Sequence, residues 1–246
     1  MMPLPTPAER KILGQEMTRM MMAYRFGLDE ISTKIKILRD EFTYVHDYNP
    51  IEHVSSRVKS PASIIEKAKR RGIEPTVEAL RREVRDIAGI RITCSFVPDI
   101  YTVADLITNQ QDVTVIEVRD YIKNPKPNGY QSLHVLVEVP VFLSDRVEAV
   151  PVEIQIRTVA MDFWASLEHK IYYKFEKDVP SDVLAELKEA AETAAALDRK
   201  MLRLREQVRY IDAATPSLPE HSTVLTEATN LSRLFSGLLE ETSRSE

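Results

Sequence analysis

With 246 residues, 43% of them hydrophobic and 29% charged, the chain has the make-up of a folded globular protein of one generous domain. No apolar run approaches the roughly 18 residues that cross a bilayer, and the start, MMPLPTPAERK, has no apolar stretch behind a basic one; neither a membrane partner nor a signal peptide is expected. A net charge of −5 argues against general affinity for DNA, and the single cysteine, Cys94, rules out an intrachain disulfide and fits a reducing cytoplasm.

The first predicted element is a helix over 8–42. Leu13, Met17, Met20, Tyr24, Leu28, Ile31, Ile35, Leu38 and Phe42 recur at three- and four-residue steps and make one apolar stripe. Gly27 is a candidate break into two helices. Pro50 and Pro61 bracket a loop or short strand carrying RVKS. Ser60 as N-cap, Pro61 as first helical residue and Gly72 as stop delimit a helix over 62–71, and a shorter one is expected over 76–84. Four segments alternate with a period of two: 90–97 (IRITCSFV), 113–119 (VTVIEVR), 133–139 (LHVLVEV) and 150–156 (VPVEIQI). Cys94 falls in the first of them, as a small core residue rather than a nucleophile. A helix over 100–109 separates the first two strands, and the turn-rich NPKPNGYQS joins the second to the third. A helix over 158–175 carries Trp164. After Pro180, Val183, Leu187, Ala190, Ala194, Leu197, Met201, Leu204, Val208 and Ile211 alternate steps of four and three. That is a heptad seam, to be packed on its own domain or on a sister chain, and it weakens beyond Pro216.

Charge is concentrated rather than spread. Residues 57–71 (RVKSPASIIEKAKRR) hold six basic side chains and one acidic, a balance of +5, whereas 181–246 hold 12 acidic and eight basic, a balance of −4. In an acidic protein the first segment suggests a local anionic ligand such as a polyphosphate; a solvated helix face is the plainer alternative. Strand alternation sets Arg91, Thr93 and Ser95 opposite Ile90, Ile92 and Cys94. It likewise sets His134, Leu136 and Glu138, and then Glu153, Gln155 and Arg157, opposite their apolar neighbours. If those polar faces share one surface, Arg91, His134, Glu153 and Gln155 line a single concavity; otherwise they are the wet side of an antiparallel sheet. Asp86, in RDIAGIR, adds a carboxylate at the mouth of the sheet. Paired acids holding Mg²⁺ against phosphates are a recurrent arrangement, and two surface acids are the alternative. In NPKPNGYQSLH two prolines stiffen the chain, Gly129 allows close backbone approach to a ligand, and Tyr130 can offer its face to a base.

RVKS, DIAGIR, NPKPNGYQSLH, VEIQIRT and MDFWASLEHK resemble, in order and spacing, the synthetase motifs of the RelA/SpoT alarmone synthetases. The match covers 44–174, and the short flanks resemble the small stand-alone members, RelQ and RelP. The resemblance implies an α+β fold, a mixed β-sheet flanked by helices and related to nucleotidyltransferases. It implies a synthetase domain over 44–176, an N-terminal helical extension over 1–43 and a C-terminal one over 177–246 that serves oligomerisation. It further implies transfer of pyrophosphate from ATP to the ribose 3′-hydroxyl of GDP or GTP, release of AMP, Mg²⁺ as cofactor, and a cytoplasmic homo-oligomer, a tetramer being favoured. With 56 residues ahead of Arg57, no hydrolase domain is expected there. Arg57 and Arg91 resemble the pair that holds adenine, and Lys59, Ser63, Lys67 and Arg70 the ligands of the ATP phosphates. Asp86 resembles the Mg²⁺ ligand, and Glu153 the second acid, described as metal ligand or as base for the 3′-hydroxyl. Tyr130 resembles the platform under guanine; Lys126, Asn128, His134, Gln155 and Ala165 resemble the rest of the acceptor pocket. Ser63, Lys67 and Arg70 also fall at helical steps near a helix start, where the dipole favours anions. Two other readings compete: an RNA-contacting module built on 57–71 and Tyr130, for which Asp86 and Glu153 have no use, and a nucleotidyltransferase of another substrate class.

Overall fold

The computed structural model describes residues 7–174 and 179–214. At its centre is a five-stranded sheet in the order β1-β2-β5-β4-β3. β1 (Ile51–Val58) runs antiparallel to β2 (Ala88–Cys94), β2 parallel to β5 (Val147–Thr158), and β5 antiparallel to β4 (Leu133–Phe142), which is antiparallel to β3 (Thr114–Asp120). The mixed sheet is the expected one, and RVKS lies at the end of a paired edge strand. Alternation sorts the faces as read: Ile90, Ile92, Val135, Val137, Val152, Ile154 and Ile156 are all buried on one side.

Helices cover that apolar side. α1 (Pro7–Val45) lays Met20, Leu28, Ile31 and Ile35 into the core that the strands line. Gly27 does not break it: α1 is one continuous helix. A Cβ added at Gly27 would lie 2.6 Å from Val150 Cγ1, so the missing side chain is what lets the helix touch the sheet. α2 (Pro61–Arg71) starts where Ser60 Oγ accepts from the Ser63 amide and stops at Gly72, whose φ of 68° is the left-handed cap. α2, α3 (Val77–Glu83) and α4 (Val97–Thr108) send Ile64, Ala68, Leu80, Ile100, Val103 and Ile107 into the same core. Cys94 is buried there, and burial pushes its thiol up to about 12, so it is a core residue.

α5 (Val159–Lys174) and α6 (Ser181–Ala214) form a second, smaller core of Trp164, Ala165, Leu187 and Ala191, with Trp164 Nε1 donating to the Leu187 carbonyl at 2.8 Å. Only the start of the heptad seam is covered here; Leu197, Met201, Leu204, Val208 and Ile211 are exposed. The described residues up to Leu202 belong to one compact unit, and those from Arg203 to a second. The weakening expected beyond Pro216 falls outside the described residues. Among the described residues no helix is long and apolar enough to cross a membrane.

Candidate active site

Strand register places the polar side chains in two rows across the open face of the sheet. One row runs Ser55, Arg91, Gln155, His134, Arg119; the next runs Arg57, Gly89, Glu153, Leu136, Glu117. Arg91, His134, Glu153 and Gln155 therefore do share one surface. Arg57 and Arg91 are diagonal neighbours on adjacent strands, close enough for Arg57 to help lower the Arg91 pKa, after burial and the charge of Arg157. A cavity of 620 Å³ opens over the β5, β4 and β3 part of the rows, lined by Lys67, Arg71, Arg82, Arg85, Asp86, Arg119, Lys126, His134 and Glu153 among others; Arg57, Arg91 and Gln155 lie outside its lining. Gly89 leaves the sheet bare beside Glu153.

On one side of this cavity Asp86 sits between two ammonium groups. Its Oδ2 accepts from Lys59 Nζ at 2.6 Å and Lys67 Nζ at 2.5 Å. Burial alone would raise the carboxyl's pKa; the hydrogen bonds and charges of the two lysines outweigh it and hold it at about 2. Asp86 Oδ1 is buried with no hydrogen-bond partner among the described residues, and so is Arg91 Nε. A buried oxygen of an ionised carboxylate left without a donor is a natural ligand for a divalent cation. Ser63 lies at the α2 start, its hydroxyl accepting from Ser60 Oγ at 2.9 Å. Arg70 is exposed and outside the cavity lining, where its neighbour Arg71 appears instead.

Opposite lies a chain of hydrogen bonds that ends on Glu153. Arg157 Nη2 donates to Tyr130 Oη at 2.6 Å, Tyr130 Oη meets His134 Nε2 at 2.7 Å, and His134 Nδ1 lies 3.4 Å from Glu153 Oε1. Because a guanidinium can only donate, the Tyr130 proton goes to His134 Nε2, which leaves the ring hydrogen on Nδ1 facing Glu153. Gln155 Nε2 donates to the other Glu153 oxygen at 2.9 Å. Burial pushes the Glu153 pKa up, but the bonds from His134 and Gln155 bring it below the ordinary value, so it is ionised at neutral pH.

The acceptor loop is a turn closed by Gly129 N to Lys126 O at 2.8 Å and Lys126 N to Tyr130 O at 3.1 Å. Asn128 holds it, accepting from the Tyr130 amide and donating to Glu168 Oε1 at 3.0 Å. Gly129 has φ 87°, and a Cβ there would fall 2.5 Å from Ala191 Cβ. The glycine thus serves the packing of the loop on α6, where the sequence suggested backbone approach to a ligand. Lys126 Nζ stands 4.7 Å from the Tyr130 ring centroid and 4.6 Å from that of Tyr121. Ala165 is buried in the small core beneath Tyr130 rather than in the cavity lining.

A family profile described as "Region found in RelA / SpoT proteins" matches residues 56–178, half of the chain. The chain is 50% identical over 198 residues to GTP pyrophosphokinase YwaC of Bacillus subtilis, covering 80% of this chain and 94% of that protein. The crystal structure of small alarmone synthetase 2 from Bacillus subtilis superimposes with a TM-score of 0.71 at 49% identity, over 78% of this chain and 99% of that one. Small alarmone synthetase 1 of the same organism, bound to its product pppGpp, gives 0.74 at 40% identity, over 79% and 99%. The chain belongs to the RelA/SpoT family.

Within this RelA/SpoT chain the matched segment begins one residue before Arg57 and ends just past α5, so every residue of the two rows drawn from β2, β4 and β5 lies inside it. Several site residues escaped the sequence reading. Alternation puts Arg157 on the polar face and gives it no role, yet its side chain is only 5% exposed. No sequence pattern singles out Asp162, Tyr121, Glu117 or Arg119. The signal that could have found Arg157 is its position: an arginine continuing the Glu153, Gln155 alternation into a strand end cannot be a solvent residue if those two face a cavity.

Proposed function

We propose that the chain is a GTP pyrophosphokinase that makes an alarmone, transferring the β,γ-pyrophosphoryl group of ATP to the ribose 3′-hydroxyl of GDP or GTP. A bond forms between the 3′-oxygen and the β-phosphorus, the bond from that phosphorus to the α,β-bridging oxygen breaks, and AMP leaves with that oxygen. The observation that carries this reading is the opposition, across one cationic cavity, of Asp86 and Glu153, two ionised acids with different partners. Glu153 takes the 3′-hydroxyl proton, its lone pairs directed by Gln155 and His134. Lys59 and Lys67 meet the donor phosphates from the Asp86 side, with Ser63 and Arg70 on the same helix, and Arg57 and Arg91 hold the adenine. Tyr130 carries the guanine, with Lys126, Asn128, His134, Gln155 and the Ala165 packing beneath the ring completing the acceptor side.

Asp86 through its unpartnered Oδ1, with Glu153, would hold a Mg²⁺ ion. Such an ion supplies charge neutralisation for the phosphates. Among the described residues no group of three or more His, Cys, Asp or Glu could chelate a metal alone, which suits a cation shared with the substrate. The setting is the cytoplasm, where both nucleotides are abundant, and the assembly is a homo-oligomer, addressed below.

Incubation with ATP, GDP and Mg²⁺, with products resolved by ion-exchange chromatography, tests the reading. AMP with a guanosine tetraphosphate is the expected pair. ADP or free pyrophosphate as coproduct, or retention of RNA without turnover, would overturn it.

A further inference from the structure

A buried arginine must place its donors or destabilise the fold. Arg157 places them on four groups. Besides Tyr130 Oη, Nη2 donates to Gln155 Oε1 at 2.9 Å; Nε reaches Ser132 Oγ at 3.4 Å; Nη1 reaches Asp162 Oδ1 at 3.2 Å. Its Cζ lies 5.1 Å from the centroid of the Tyr130 ring. The same Asp162 oxygen is 3.3 Å from Arg91 Nη1. One carboxylate oxygen thus stands between the guanidinium that holds Tyr130 and the guanidinium assigned to the adenine. The charge of Arg157 acts against that of Arg91, and Asp162 is what lets the two cations sit this close.

We propose that Arg157 and Asp162 form a positioning pair shared by the two nucleotide sites, fixing the Tyr130 ring on the acceptor side and the Arg91 guanidinium on the donor side. This rests on the reading of Tyr130 and Arg91 given above. The geometry explains why two residues outside the cavity lining lie in the motif-bearing stretch: neither touches the cavity, and each holds a residue assigned to a nucleotide, Tyr130 or Arg91. Asp162 sits in the first turn of α5, so the end of β5 and the start of that helix carry both halves of the pair. Losing the Asp162 charge leaves Arg91 and Arg157 facing each other without an anion, and both are then expected to move. Losing the Tyr130 hydroxyl frees the acceptor end alone.

The test uses the full chain and separate titrations with GDP and with a non-hydrolysable ATP analogue, in Mg²⁺, beside a thermal melt. Asp162→Asn is expected to weaken both ligands, each about fivefold or more, with a melting temperature close to wild type. Tyr130→Phe is expected to weaken GDP only. In the double variant the GDP loss should fall short of the product of the two single losses, because both cut one chain of contacts. A general loosening of the fold would instead multiply them. Unchanged GDP affinity in Asp162→Asn, or losses that multiply, would overturn the proposal. Arg157→Lys keeps a buried cation but cannot reach Tyr130, Gln155 and Asp162 together; it repeats the test from the other half, with the same expected GDP loss, should Asp162→Asn fail to fold. Tyr130→Ala is the control on the reading beneath: unchanged GDP affinity there would overturn the acceptor assignment itself, whatever Asp162→Asn does.

Discussion

At the scale of single residues, the two acids are ionised for different reasons and should fail differently. Glu153→Gln keeps the side chain's shape but turns one of its two accepting oxygens into a donor, and it should lose turnover by about a hundredfold or more with at most a small fall in melting temperature, since a proton acceptor acts only in the transition state; near-wild-type turnover would remove Glu153 from that role. Asp86→Asn should lose turnover and stability together. The Asp86 carboxyl titrates near 2 in the fold against an ordinary 3.8. The stabilisation from Lys59 and Lys67 is therefore complete above about pH 4 and is lost as pH falls toward 2, an effect of about 1–2 kcal/mol after solvent screening. Urea unfolding of wild type and Asp86→Asn at pH 7, 4 and 2.5 should show a gap that closes on acidification; a gap of constant size would reject the lysine pairing as its source. Tyr130 is a sharper case. As a bare stacking platform it would tolerate phenylalanine, but its hydroxyl bonds Arg157 and His134. Tyr130→Ala should cost about 1–3 kcal/mol of GDP binding, roughly five- to hundredfold, and Tyr130→Phe about 0.5–1.5 kcal/mol, the worth of one hydrogen bond. Calorimetric titration checks both, and a silent Tyr130→Phe would show the hydroxyl network to be idle.

At the scale of elements, the strands were legible because alternation has only one interpretation once a face is buried. The register was not. Nothing in LHVLVEV says that His134 lies opposite Gln155, and only pairing turns separate polar positions into a row. Glycines were misread for the same reason: Gly27 and Gly129 look like a break and a ligand approach in one dimension, and are contact points with Val150 and Ala191 in three. Gly27 yields a prediction of unusual sign. On an open helix Gly→Ala stabilises by about 1 kcal/mol, whereas here the methyl meets Val150 and overpacking costs about 1–3 kcal/mol. Gly27→Ala should therefore destabilise in chemical denaturation, and adding Val150→Ala should recover part of the loss. Stabilisation by the single change would mean the α1–sheet contact is looser than its geometry.

For the whole molecule, the sequence pattern announced more apolar surface than one compact unit covers. The small core uses Leu187 and Ala191, and beyond them the α6 seam stays open, with Leu197 and Met201 51% and 46% exposed. On α5, Val159 and Phe163 are also exposed, the latter at 67%. These side chains line one largely apolar groove of 1030 Å³ between α5 and α6. A soluble monomer seldom leaves so continuous an apolar surface uncovered, and a heptad seam is built to meet another helix. A second copy of the chain is the occupant that the seam suits, in line with the homo-oligomer, a tetramer, that family resemblance implies. The protein is thus expected to run as an oligomer by light scattering at micromolar concentration. Leu197→Lys with Met201→Lys should lower the mass while leaving circular dichroism in the helical region unchanged, because neither side chain belongs to the buried cores. The acceptor loop adds a second readout, since Gly129 rests on Ala191 of the same helix, less than two turns before Leu197. If association steadies α6, the dissociated double variant should bind GDP more weakly than wild type while its affinity for the ATP analogue holds. A wild-type chain that scatters as a monomer would end this account, and the exposed seam would then have no partner in its own kind.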